Sequence, residues 1–133
     1  MSEKKNLLLK ISLVLIALIT LVYGVIYLFF PEVEIKATGA EPINPGWIRW
    51  FGGILLALGI CSIMIFRNPV KQGIFVTSIA IGTAIVGLTL FYSVIFETEN
   101  NAHMLNALIP AIVNSIISVL FWISLRQSKE ILW

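Results

Sequence analysis

Residues Ile11–Phe30 read ISLVLIALITLVYGVIYLFF, twenty positions in a row without a charge. At 1.5 Å per residue a helix of that length is about 30 Å long, the thickness of a bilayer's hydrocarbon core. The run is continuous rather than alternating, which points to a helix and away from a barrel strand. Lys4, Lys5 and Lys10 precede it, as in a signal peptide. The apolar part of a signal peptide, however, is only about 7–15 residues long. A weak cleavage-like group, Ala37, Thr38 and Gly39, follows only after Pro31, Glu32 and Glu34. The segment is therefore expected to be a retained membrane anchor.

Three more stretches meet the same criterion. The expected spans are about 7–30, 47–66, 73–96 and 103–125, and none has a charge near its centre. Composition agrees. Of 133 residues, 59 % are hydrophobic and 12 % charged, and mean hydropathy is +0.97. An average soluble domain is about 45–50 % apolar and about 25 % charged. A small soluble fold needs polar residues to cover its large surface. An ordinary soluble enzyme, a disordered chain and a disulfide-rich secreted module are thereby excluded, and residues 1–133 read as one membrane domain.

Residues 31–46 form the one sizeable loop, with Pro31, Pro42 and Pro45. Val33–Ala37 alternates and reads as a short extended or interfacial piece. The other two connections are tight turns, which make sequential helices antiparallel neighbours. The expected fold is all-α: an integral-membrane, up-down-up-down bundle of four transmembrane helices.

The charges are sorted. With both termini and the second connection on one side, that side holds Lys4, Lys5, Lys10, Arg67, Lys71, Arg126 and Lys129, seven of the nine basic residues. The other side holds Lys36 and Arg49 with Glu32, Glu34, Glu41, Glu97 and Glu99. The excess of Lys and Arg in cytoplasmic loops then predicts cytoplasmic N- and C-termini in a plasma or inner membrane. Tyr23, Tyr27, Trp47, Trp50, Tyr92 and Phe96 would form the outer aromatic belt. Phe66, Trp122 and Trp133 would lie near the inner one.

Several chemistries lack their residues. The single Cys61 makes no internal disulfide, no CxxC pair and no cysteine-rich metal site, and reads as a small packing residue. One His and no Asp leave no metal site and no Ser-His-Asp set. No phosphate-binding glycine loop occurs, so no cofactor is expected. A formal charge of +2, with no basic run among aromatics, argues against nucleic acid. The first span lacks the mid-membrane glutamate of small multidrug exporters, and no motif of the small fluoride channels is present.

Polar groups in hydrocarbon cost free energy unless partnered, so they are expected to mark inward faces. The expected stripes are Asn106, Pro110, Asn114 and Ser118 on the fourth span; Ser78, Gly82, Thr89, Ser93 and Glu97 on the third; Ser12, Ile16, Thr20, Gly24 and Tyr27 on the first; and Arg49, Gly53 and Ala57 on the second. Asn114 falls near the membrane centre as interhelical glue or a ligand contact. Arg49 either snorkels between Trp47 and Trp50 or turns inward. Turned inward, it would meet Tyr23, Tyr27, Tyr92, Ser93, Glu97, His103 and Asn106 in an outward-opening polar pocket. Such a pocket could hold an anionic or quinone-like head group.

Leu28-Phe29-Phe30-Pro31-Glu32 closes the first span, and Ile48-Arg49-Trp50-Phe51-Gly52-Gly53 opens the second. This arrangement resembles small bacterial four-helix membrane proteins of the DoxX-like group, and a related domain-of-unknown-function family. Its members show an Arg-aromatic-aromatic-Gly-Gly pattern at the second helix. The resemblance implies a four-helix fold in a bacterial membrane and no particular activity.

The leading functional expectation is a non-enzymatic accessory protein. It would bind a lipid, a quinone or a larger membrane complex, with a second membrane protein or further copies of itself as partners. A small oligomeric transporter or channel is one alternative. A membrane enzyme acting on a lipid-soluble substrate at the outer pocket is another.

Overall fold

Four long helices carry the chain in a computed structural model that describes residues 2–38, 45–96 and 101–133. They are α1 (Ser2–Phe29), α3 (Gly46–Arg67), α4 (Gly73–Phe96) and α5 (Asn101–Gln127). Two short helices join them, α2 (Pro31–Thr38) and α6 (Lys129–Leu132). No strand occurs among the described residues. Each long helix contains a segment of 22 or 24 residues long and apolar enough to cross a membrane. Large apolar side chains stand bare on these helices: Leu88 is 70 % exposed, Ile74 and Ile95 68 %. Water would penalise such surfaces at about 25 cal/mol per Å², whereas lipid does not. The chain is thus built as a four-helix membrane protein.

Between helices in lipid the hydrophobic drive is weak, so close backbone approach and packing hold them together. The α1–α3 pair shows how. Gly24 sits so near Leu56 that an added Cβ would lie 2.9 Å from its backbone nitrogen. At Gly52 the added atom would lie 2.7 Å from the Leu28 nitrogen, and at Gly59 2.7 Å from the Leu21 side chain. Further along, Lys10 Nζ stands 6.0 Å from the centre of the Phe66 ring. Residue numbers fall along α1 as they rise along α3.

The α4–α5 pair is arranged in the same way. Ser118 Oγ donates to the Ala80 carbonyl at 3.0 Å, and Gly87 abuts Ser115. The two pairs join where α1 meets α5, with Ser12 Oγ and Ser124 Oγ 3.4 Å apart. One apolar cluster fills the junction: Leu9, Leu13, Ile16, Ile65, Val76, Ile79, Ala80, Ile117, Phe121 and Leu132. It lies where the N-terminal half of α1 and the C-terminal half of α5 come together. The opposite end, near α2, has smaller buried groups such as Gly24, Gly52 and Gly87. Although a short connection joins α3 to α4, these two helices are not among the packed pairs. Sequential neighbours were expected here. The α3 face is taken by α1 and the α4 face by α5, so the short turn links two pairs without packing one helix on the other.

Two of the four expected inward stripes face outward instead. Arg49, Gly53 and Ala57 are exposed on α3, whose buried positions are Gly52, Gly59, Ser62 and Ile65. Ser78, Gly82 and Thr89 are exposed on α4, whose buried positions include Val76, Ile79, Ala80, Thr83 and Gly87. On α4 the hydroxyls do not mark the inner face: exposed Ser78 Oγ donates to the Ile74 carbonyl at 2.9 Å and Thr89 Oγ1 to Ile85 at 3.0 Å, and buried Ser12, Thr20 and Thr83 bond to their own helices in the same way. A hydroxyl satisfied one turn back can sit on either face. The α1 stripe does face inward: Ser12, Ile16, Thr20 and Gly24 are buried. Cys61, expected as a packing residue, is exposed on α3.

The stretch expected as a short extended or interfacial piece after the first span is helical and forms α2. Pro31 takes the first helical position, where its missing N–H costs nothing. Glu32 and Glu34 occupy the first turn and Lys36 the last, matching the helix dipole. At the other end α6 folds the chain back. Lys71 N–H donates to the Ile131 carbonyl at 3.0 Å, with Lys71 held at φ 57°. The Trp133 ring lies on Gly73, where an added Cβ would come within 2.4 Å of it. Trp133→Ala should loosen this clasp. Trypsin should then cut severalfold faster after Arg126 and Lys129, and an unchanged digestion rate would show that the ring holds nothing in place.

Candidate functional site at the α2 end

Tyr23, Tyr27 and Asn106, three of the residues expected to form a polar pocket, lie at the end of the bundle that α2 covers. Tyr23 and Tyr27 are one turn apart on α1, so their rings share a face. They meet edge to face, with centroids 5.7 Å apart. Tyr27 also packs on Phe51 of α3, at 6.0 Å. Its hydroxyl is hydrogen-bonded to the Glu34 side chain of α2. Tyr27 is half-buried, while Tyr23 keeps 38 % of its surface exposed.

Asn106 reaches the same end from α5. Its amide donates to the Ala37 carbonyl, tying α2 to α5. Helix α2 thereby spans from the α1–α3 pair to the α4–α5 pair. The sequence reading missed Glu34 and Phe51 as members of this group. Pro31 followed by Glu32 and Glu34 is the pattern of a helix start, and reading it so would have turned Glu34 back towards α1.

The other expected members stand apart. Tyr92 is exposed on α4 and packs on Phe96 of its own helix, with ring centroids 4.7 Å apart. Ser93 is half-buried on the same helix. Asn114 is half-buried, but its amide donates to the Pro110 carbonyl one turn back at 2.9 Å. Pro110 leaves the α5 assignment unbroken. Glu97 lies outside the described residues, as does the side chain of His103.

Arg49 is exposed on the outer face of α3, beside Gly53 and Ala57. Its backbone N–H closes the first turn on the Pro45 carbonyl at 3.0 Å. Its guanidinium has no partner among the described residues, and Trp47 and Trp50 pair with each other at 5.9 Å. Gly52 is buried against α1 while Arg49, three positions earlier, remains exposed. The group that converges is Tyr23, Tyr27, Phe51 and Glu34, with Asn106 bonded to the same helix α2 at Ala37.

This group offers phenol hydroxyls, a carboxylate and an amide beside apolar walls. That suits a polar head group on a lipid-soluble body, with orientation set by hydrogen bonds. No group of three or more His, Cys, Asp and Glu able to hold a metal occurs among the described residues. The chain matches no protein-family model, no curated protein and no solved structure.

Proposed function

We propose that this chain is a non-enzymatic accessory protein of a bacterial-type plasma membrane, acting by binding a lipid-soluble molecule or a larger membrane complex. The observation that carries this reading is the Tyr23–Tyr27–Glu34 group, whose helix α2 is bonded to Asn106 of α5. A lipid or a quinone would place its head group against the hydroxyls and its tail along the helices. Kinship with DoxX-like proteins fits the Arg49–Gly53 motif, in which Gly52 seats α3 on α1. The helices cross in an antiparallel up-down-up-down order with both termini in the cytoplasm. The opposed numbering of the α1–α3 and α4–α5 contacts supports the first part. The sorting of basic residues supports the second.

Native mass spectrometry of the full chain from mild detergent tests the reading. A bound lipid-soluble molecule or a partner subunit is expected, and Tyr27→Phe should weaken retention of the small molecule. A bare monomer under all gentle conditions would contradict it.

A further inference from the structure

A groove of about 330 Å³ runs along the side of the α1–α3 pair, away from the tyrosine group. Its walls are Leu13, Val14, Ala17, Leu18 and Leu21 of α1 with Ile63 and Phe66 of α3, and Arg67 closes one end. Lys10 lies one turn before Leu13 and Val14 on the same face of α1. Its ammonium stands over the ring of Phe66, itself a wall of the groove. Lys10 and Arg67 are both exposed and flank Phe66 from different helices.

We propose that this groove holds one acyl chain of an anionic phospholipid, with the lipid phosphate between Lys10 and Arg67. Length supports a lipid tail. Lys10 to Leu21 spans about 16 Å of helix, and one leaflet of a hydrocarbon core of about 30 Å is about 15 Å deep. Charge supports an anionic head. Lys10 and Arg67 stand at the Phe66 end of the groove, and no acidic side chain is among its described walls. A guanidinium binds phosphate oxygens in a two-point fork, and an ammonium adds a compact point charge. Snorkelling of each cation alone would need no shared groove between them. A choline head group would set a third cation beside these two, so the preferred lipid is one of net negative charge.

Both readings bind a lipid-soluble molecule, but at different places on α1: Tyr27→Phe probes the tyrosine end and the variants below probe the groove. These variants leave the tyrosine end untouched, so the two readings fail separately. The full chain in mild detergent is titrated with dioleoyl phosphatidylglycerol, then with the phosphatidylcholine of identical tails, and bound lipid is counted by native mass spectrometry. Wild type should favour phosphatidylglycerol. Lys10→Gln and Arg67→Gln should each lower that preference roughly fivefold, as expected for about 1 kcal/mol per cation near anionic lipid. Lys129→Gln should leave it unchanged. Leu18→Trp, which narrows the groove at an exposed position, should reduce retention with both cations intact. Millimolar inorganic phosphate should not displace the lipid. Equal binding of the two lipids, an unchanged preference in Lys10→Gln/Arg67→Gln, undiminished retention in Leu18→Trp or displacement by free phosphate would each overturn the proposal.

Discussion

Gly52→Ala should destabilise the folded chain by about 1–3 kcal/mol, the usual cost of forcing an extra methyl into a packed contact. Gly53→Ala should be neutral or slightly stabilising. The two residues are neighbours of one kind, so propensity cannot separate them; alanine is the better helix former at both. Surroundings do separate them. An atom added at Gly52 would meet the Leu28 nitrogen at 2.7 Å, Tyr27 Cβ at 2.9 Å and the Gly24 carbonyl oxygen at 3.0 Å. Two of these are backbone atoms, so relief requires moving a helix. At Gly53 nothing lies within 4 Å. Gly59→Ala should fall between, because the Leu21 side chain that it meets can rotate. Equilibrium unfolding in lipid bicelles measures the series. Equal stabilities for the Gly52 and Gly53 variants would mean that α1 and α3 do not interlock through Gly24 and Gly52.

Phe121→Ala should cost about 2–3 kcal/mol. Phe121 is fully buried in the cluster that joins the two helix pairs. In a soluble core such a truncation costs about 3–5 kcal/mol, part transfer from water and part cavity. In a bilayer the unfolded reference is also apolar, so most of the transfer part vanishes and the cavity part remains. Trp122 is the control. It is the larger ring at the next position, yet it is 44 % exposed. Trp122→Ala should change stability by less than Phe121→Ala in the same assay. The reverse order would place the junction of the pairs elsewhere.

The spans were legible because length and apolarity alone define them; the expected 73–96 coincides with α4 and 47–66 differs from α3 by one residue at each end. Their facing was only partly legible. On α1 a buried serine, threonine and glycine do mark the inner face. On α4 the same signal failed, since exposed Ser78 and Thr89 bond to their own helix just as buried Ser12 and Thr20 do; on α3 the buried glycines are Gly52 and Gly59 and not Gly53. Adjacent residues on a helix lie about 100° apart, so only one glycine of Gly52-Gly53 can touch α1, and nothing in the pair of letters says which. Tyr23 and Tyr27 were legible together, because a spacing of four fixes a shared face whatever the rotation. Glu34 was hidden because Val33–Ala37, read as an extended or interfacial piece, has no defined face until it is helical.

The proposed topology has four crossings, with the termini and the α3–α4 connection on one side of the membrane. Single cysteines in a Cys61→Ser background test this most directly. Asn68→Cys marks the α3–α4 connection, Gln127→Cys the end of α5, and Glu32→Cys helix α2, all at exposed positions. In intact bacteria expressing the chain, a membrane-impermeant maleimide should label only Glu32→Cys, and the other two should react only after permeabilisation. Labelling of Asn68→Cys in intact cells, or of all three alike, would contradict it.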